Sequence, residues 1–251
     1  MSLRLLGATT ARVLNQIRHD HRSVAMILVV PSFLLAAVYF LFENETLSPG
    51  MPRTFDRVGL VMLAIFPFLI MFLITSVTML RERTSGTLER LLTTPLGKAD
   101  LLFGYAAAFS VLAAVQAVVT LAVAYWVFQL DVQGSPLLVG LVCVLNSVLG
   151  VALGLLCSAF ARTEFQAVQF MPVVVVPQIL LCGLFVARSS MNSVLEAISN
   201  VLPLSYSVEA LQEIGRHSDP TGTLWQDLLA LAVIALGLLV LASATLRRRT
   251  R

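Results

Sequence analysis

The chain has 251 residues, of which 58% are hydrophobic and only 12% charged, with a mean hydropathy of +0.88 and a net charge of +3. Soluble domains carry about 25% charged residues, so the composition excludes an ordinary soluble domain and points to a membrane protein. With so few charges, their placement along the chain says more than their sum.

Residues 1–22 precede the first long apolar stretch. Leu3, Leu6, Val13, Leu14 and Ile17 recur there at helical spacing among Arg4, Arg12 and Arg18. That pattern predicts an interfacial helix, its apolar side in the lipid boundary and its arginines toward headgroups. Six stretches then reach the roughly 20 apolar residues a crossing needs: 23–42, 58–80, 99–128, 136–160, 168–187 and 225–246. The first is too long for the apolar region of a signal peptide, and Phe40-Leu41-Phe42-Glu43 offers no small-residue cleavage site. Residues 43–57 hold Pro49, Gly50 and Pro52 and read as an irregular connection. The fourth stretch carries Gly150 and Gly154 four apart, a spacing that lets helix backbones approach closely. Pro172 and Pro177 in the fifth remove helix hydrogen bonds and predict a kinked or loosened helix.

Residues 191–214 contain two apolar-periodic halves, Val194/Leu195/Ile198/Val201/Leu202 and Leu204/Val208/Leu211/Ile214, broken at Pro203. Each half is too short to span. A re-entrant helical hairpin in the outer leaflet is the favoured reading, with two surface helices lying flat as the alternative. No internal repeat or low-complexity linker divides the chain, so 1–251 reads as a single transmembrane domain.

With both termini on one side, that side collects 13 of the 17 basic residues, and the other holds nine of the fourteen acids. The positive-inside rule therefore places both termini and residues 81–98 in the cytoplasm, in a multi-pass protein of the cell membrane. His19, His21 and His217 lie outside the six stretches, and no stretch has an Asp, Glu, Lys or Arg well inside it. Metal-dependent hydrolysis and histidine-based nucleophilic chemistry are thereby excluded, and a proton- or ion-coupled carrier lacks its relay. Cys143, Cys157 and Cys182 show no metal-ligand spacing. Gly97-Lys98 is followed by Ala99, so no phosphate-binding loop is present and energy for driven transport would enter from another polypeptide. The uncharged polar residues within the stretches read as interhelical hydrogen bonds. Around the two prolines, Gln169, Met171, Pro172, Pro177 and Gln178 are a candidate path for an amphiphilic substrate.

The most informative segment is 81–98, RERTSGTLERLLTTPLGK, a polar island between two apolar spans. Gly86 or Ser85 is placed to cap a short helix with Glu89 in its first turn, and Pro95 stops it. Leu88, Leu91 and Leu92 share one face, making a leucine knob on about two turns of helix, too short to be stable alone. Such an element suits a groove on a partner.

GTLERLLTTPL, preceded by RERTS, resembles the cytoplasmic signature of type-2 ATP-binding-cassette (ABC) transporter permeases, the daunorubicin-resistance-like exporters. LLCGLFVARSSMNSVLEAISNVLPLSYSVEALQEI resembles the end of that family's fifth span and its outer hairpin, and Arg162–Ala167 its preceding turn. The resemblance implies an all-α membrane protein: six transmembrane helices, an N-terminal interfacial helix, a cytoplasmic coupling helix and an outer re-entrant helical hairpin. It also implies that Gly86, Thr87, Leu88, Glu89, Leu91, Leu92, Thr94 and Pro95 seat in a cleft of a cytoplasmic ABC ATPase subunit. That subunit would bind ATP and magnesium, leaving this chain without catalytic residues or a cofactor. Further expected partners are a second permease copy or sibling permease and membrane lipids, with no nucleic acid. The expected function is ATP-driven export of hydrophobic or amphiphilic drugs or lipids. Export of polysaccharide or lipid-linked glycan is the alternative within the class, and a stand-alone channel or carrier, or a membrane scaffold, outside it.

Overall fold

The computed structural model describes residues 3–45, 53–87 and 97–245. These residues are helical and loop, with no strand among them. Helix α1 covers Leu3–His19, α2 His21–Phe42, α3 Thr54–Thr84 and α4 Lys98–Ala122, which continues as a π-helical segment at Val123–Val127. Then follow α5 (Pro136–Ser158), α6 (Glu164–Leu181), a 3-10 turn at Arg188–Ser190, α7 (Ser193–Ser199), α8 (Pro203–Arg216) and α9 (Gly222–Thr245). Helices α2, α3, α4 with its π segment, α5, α6 and α9 are long and apolar enough to cross a membrane. The chain is thus an all-helical, multi-pass membrane protein.

The 31-residue α3 is the axis of the bundle. Of its most apolar window 72% is buried inside the protein, against 17% for α2 and for α6. Its main neighbour is α5, and glycines explain why the two lie so close. A Cβ on Gly150 would stand 2.5 Å from the Phe68 carbonyl oxygen, and one on Gly154 would stand 2.6 Å from that of Phe72. One four-residue step earlier on each helix, Asn146 Nδ2 donates to the Ala64 carbonyl at 2.7 Å. Residues 146, 150 and 154 therefore form a stripe that meets successive α3 carbonyls, the close approach expected from the Gly150/Gly154 spacing. Asn146 also accepts from Ser207 Oγ at 2.7 Å, which brings α8 onto the same junction.

Three elements carry detail beyond the sequence expectations. Helix α1 forms, but Val13 and Ile17 on its apolar side are buried against Leu101, Leu102 and Tyr105 rather than left for lipid. A glycine again permits this, since a Cβ on Gly104 would meet Thr9 side-chain carbons at 2.7 Å. Helix α6 runs unbroken through Pro172 and Pro177, and the chain leaves the helix at Leu181, before Gly183 with φ 92°. The two halves of 191–214 are also unlike each other. Leu204, Val208, Leu211 and Ile214 on α8 are buried, whereas Val194, Leu195, Ile198 and Val201 on and after α7 are exposed. Pro203 starts α8 at its first turn, where the missing N–H costs nothing.

Buried carboxylates stay near helix ends. Asp56, Glu82, Asp100 and Asp227 all lie within the first or last two turns of their helices. Asp227 is the deepest case, 5% exposed in the second turn of α9, and its Oδ2 has no hydrogen-bond partner among the described residues.

Candidate functional site

The island 81–98 begins as the last turn of α3, and the structure ties that turn to three other helices. Arg81 makes a bidentate pair with Glu164 at the start of α6, Nε to Oε1 at 2.7 Å and Nη2 to Oε2 at 3.0 Å. Arg83 donates to the Ser158 carbonyl at the end of α5. Glu82, only 5% exposed, accepts from Gln16 Nε2 of α1 at 3.0 Å, while its Oε2 has no partner among the described residues. The consecutive residues 81, 82 and 83 thus point to α6, α1 and α5 in turn. Helix geometry makes this possible, because successive side chains are turned by about 100°.

Helix α1 is in turn fixed to α4. Thr10 Oγ1 donates to the Gly104 carbonyl at 3.2 Å, and the Arg12 guanidinium donates to Tyr105 Oη and lies 5.5 Å from its ring centre. Asp20, between α1 and α2, caps α2 by accepting from Ser23 N at 3.2 Å and Ser23 Oγ at 2.6 Å. Those two bonds hold its carboxyl below the ordinary aspartate value. A cavity of about 190 Å³ separates this corner from α3, with Gln16, Asp20, Thr78, Arg81 and Glu82 among its walls. On the other flank, Thr163 Oγ1 caps α6 through Gln166 N at 3.2 Å, and Gln166 Oε1 returns to Arg162 N at 2.9 Å. The product is a brace: the end of α3 is held on several sides by α1, α5 and α6.

Gly86 marks where that brace stops. Its φ of 74° is in the left-handed region that favours glycine, and it directly follows Ser85, the residue that closes α3 through its N–H to the Arg81 carbonyl at 2.9 Å. In the described structure Gly86 and Ser85 therefore end α3, a role the capping argument from sequence did not include.

The sequence matches the family described as ABC-2 type transporter over residues 4–214. The chain belongs to this family. Among curated proteins it is similar to the probable multidrug ABC transporter permease YbhR of Escherichia coli K12, 29% identical over 177 residues, which cover 70% of this chain and 48% of that protein. It is 30% identical over 141 residues to ABC transporter G family member 20 of Dictyostelium discoideum, covering 56% and 19% of the two chains. The linearmycin resistance permease protein LnrN of Bacillus subtilis is 27% identical over 137 residues, 55% and 35% of the two chains. The chain spans about half the length, or less, of these curated relatives.

Of the coupling residues expected in this ABC-2 chain, Gly86 and Thr87 are placed, with Thr87 Oγ1 3.0 Å from Ser85 Oγ. Leu88, Glu89, Leu91, Leu92, Thr94 and Pro95 lie outside the described residues. The candidate path residues fall on two faces of α6. Gln169, Pro172 and Pro177 are exposed, on the stripe that also carries Phe165, Val173 and Leu180. Met171 and Gln178 face the bundle; Gln178 is 2% exposed, donates to the Val174 carbonyl at 3.0 Å and accepts from Leu204 N at 3.4 Å. The structure therefore does not bring the five together on one surface. Gln178 joins α6 to α8, as expected of an interhelical hydrogen bond. Sequence reading missed Glu82 and Gln16, whose pairing spans 66 residues of chain; an acid between two arginines was the only local signal.

Proposed function

We propose that this chain is the membrane-spanning permease subunit of an ATP-driven exporter that moves hydrophobic or amphiphilic drugs or lipids out of the cell. The observation that carries the reading is the match to the ABC-2 type transporter family over residues 4–214, which takes in the whole of the island. The braced end of α3 supports it. An element that receives a push from a soluble partner needs a stiff connection into the membrane, and α3 is anchored to α1, α5 and α6 through the first three residues of the island. Two relatives bear names of multidrug and linearmycin resistance permeases, which favours drug-like amphiphiles as cargo.

In this reading the basic end faces the cytoplasm of a cell-membrane protein. ATP and magnesium are bound and turned over by a separate ATPase subunit, whose closure presses on residues 86–95. A second permease copy or sibling covers the exposed stripe of α6, where Gln169 would otherwise face lipid. A flat-lying or re-entrant α7 supplies the outer rim, with its apolar Val194 and Ile198, and Val201 just after it, facing away from the protein.

Gentle extraction from the native membrane, followed by mass spectrometry of stoichiometric partners, tests the assembly. A soluble subunit with a phosphate-binding loop is expected. Recovery of the chain alone, under conditions that keep other membrane complexes whole, refutes it. Leu91→Asp then tests the coupling segment: the variant is expected to insert normally but to lose cargo-stimulated ATP turnover in the assembled complex. Normal stimulation would remove Leu91 from the interface.

A further inference from the structure

A cavity of about 1040 Å³ opens at the end of the bundle opposite the island, where α3 begins, the π segment ends and α8 finishes. Its walls are well fixed. Arg53 pairs with Asp56 through Nε to Oδ2 at 3.0 Å and Nη2 to Oδ1 at 2.9 Å, and Asp56 Oδ1 also accepts from Asp131 N at 3.1 Å. Arg53 further donates to the carbonyl of Gln129, a non-glycine residue held at φ 50°. Tyr39, Phe55 and Phe128 form an aromatic cluster behind this loop, with ring centres 4.8 to 6.1 Å apart. Gly134 N donates to the Ile214 carbonyl at 2.9 Å and closes the loop onto α8. A π-helical segment, a left-handed Gln129 and a clamped loop around one hollow are the kind of local strain that accompanies binding sites.

The chemistry of the lining is amphiphilic. Val58, Val61, Leu130 and Leu184 supply an apolar wall. Arg57 and Arg216 reach the cavity from α3 and α8, are exposed, and make no ion pair or side-chain hydrogen bond among the described residues. The Tyr125 hydroxyl is buried on the lining and has no partner there either. Asp56 is neutralised by Arg53, which leaves Asp131 as one carboxylate against two guanidiniums. Two unengaged guanidiniums are forks for phosphate or carboxylate oxygens. The volume far exceeds an inorganic anion and is at the upper end for ligand sites, about 300–1,000 Å³. We propose that this cavity is a binding site for an amphiphile whose anionic head, a phosphate or carboxylate, is held by Arg57 and Arg216 while its apolar part lies on Val58, Val61 and Leu184. The assignment stands on the permease chain alone and needs no ATPase.

The test uses the purified full chain in neutral detergent, titrated with dioctanoyl phosphatidylglycerol, dioctanoyl phosphatidylcholine or inorganic phosphate, with binding read by thermophoresis. Phosphatidylglycerol is expected to bind at least about tenfold more tightly than phosphatidylcholine, whose choline cation opposes the two guanidiniums by an amount comparable to one charge-assisted contact. The preference should shrink with added salt, be lost in Arg57→Gln/Arg216→Gln, and be largely kept in Arg57→Lys/Arg216→Lys. Equal binding of the two lipids by the unmodified chain overturns the proposal, and that arm needs no variant to fold. Phosphate binding as tightly as phosphatidylglycerol overturns the amphiphilic assignment. Two sources of the ligand are separated by lipid mass spectrometry of the purified chain. An anionic phospholipid retained by the unmodified chain and shed by the Gln variant identifies a resident membrane lipid. An unoccupied chain that takes up added phosphatidylglycerol identifies a ligand in transit.

Discussion

Gly150→Ala puts the bundle's tightest contact to a direct test. The added Cβ would sit 2.5 Å from the Phe68 carbonyl oxygen, 3.2 Å from its carbonyl carbon and 3.3 Å from its Cα, while ordinary contact begins at 3.4 Å. Every obstructing atom is backbone, so no rotamer change relieves it. The helices α3 and α5 must separate locally by roughly 1 Å, and a gap of that size forfeits about a quarter to a half of each dispersion contact it spans. Overpacking of this kind costs about 1–3 kcal/mol. Gly154→Ala repeats the insult at the Phe72 carbonyl, 2.6 Å away. Gly237→Ala in α9 is the internal control, since nothing lies within 4 Å of its added carbon. There alanine should be neutral or gain up to about 1 kcal/mol from better helix propensity. Unfolding of the purified chain in mixed micelles of increasing dodecyl sulfate, followed by far-ultraviolet circular dichroism, gives the three stabilities on one scale. Gly150→Ala is expected about 1–3 kcal/mol below the Gly237→Ala control. Equal stability of the two would mean that α3 and α5 are not packed backbone to backbone.

Three smaller perturbations probe the junctions around that axis. Asn146→Leu removes the bond to the Ala64 carbonyl and strands Ser207 Oγ; because interhelical bonds in membranes average about 0.6 kcal/mol, the same unfolding assay should register a loss well below that of Gly150→Ala. Arg81→Glu and Glu164→Arg each reverse one partner of an exposed pair worth about 0–1 kcal/mol, so each alone should lower stability slightly and the exchanged pair should recover it in a double-mutant cycle. Asp20→Ala removes the α2 cap, a change that costs about 1 kcal/mol locally, and should speed amide exchange at Ser23. Since the folded Asp20 carboxyl titrates below its ordinary 3.8, its contribution is present above that value and disappears as pH falls through the lower, folded one. Exchange at Ser23 should therefore accelerate only in acid, and in Asp20→Ala that extra acid sensitivity should vanish.

The six crossings were legible because a run of about 20 apolar residues has few other uses, and every expected end fell within four residues of its helix except Ala187. The α3 helix starts earlier, at Thr54, because Arg53 and Asp56 satisfy each other and let a charged turn pack against the loop at 128–131. The fifth span ends earlier because Gly183 takes a left-handed φ that hydropathy does not register. Gly150 and Gly154 were readable as a spacing; which helix they touch was not. The amphipathic pattern of α1 was equally plain, but hydrophobicity does not distinguish lipid from the Leu101/Leu102/Tyr105 surface that covers Val13 and Ile17. Neither polar cluster was legible as a cluster. Glu82 meets Gln16 across 66 residues, and the cavity gathers Arg57, Gln133 and Arg216 from three elements. One-dimensional patterns report which side of a helix is apolar, and not which distant side chains share a corner.

A single helix connects the two regions. At about 1.5 Å per residue, the stretch of the 31-residue α3 from the cavity wall at Arg57 to the brace beginning at Arg81 extends about 36 Å. Its middle is gripped by α5 at Phe68 and Phe72, and Pro67, buried one residue before that grip, has no N–H for the preceding turn. A rod clamped at its centre and weakened beside the clamp responds to a push at one end by turning there rather than by sliding. The polar brace concentrates load on α3, since Gln16, Ser158 and Glu164 all hold that one turn. A push delivered through Gly86 would then tilt the half of α3 nearest the island against α5 and change the shape of the cavity only as far as the Pro67 joint remains stiff. If residues 86–95 receive a push as proposed, stiffness at that joint would set how far it reaches the cavity.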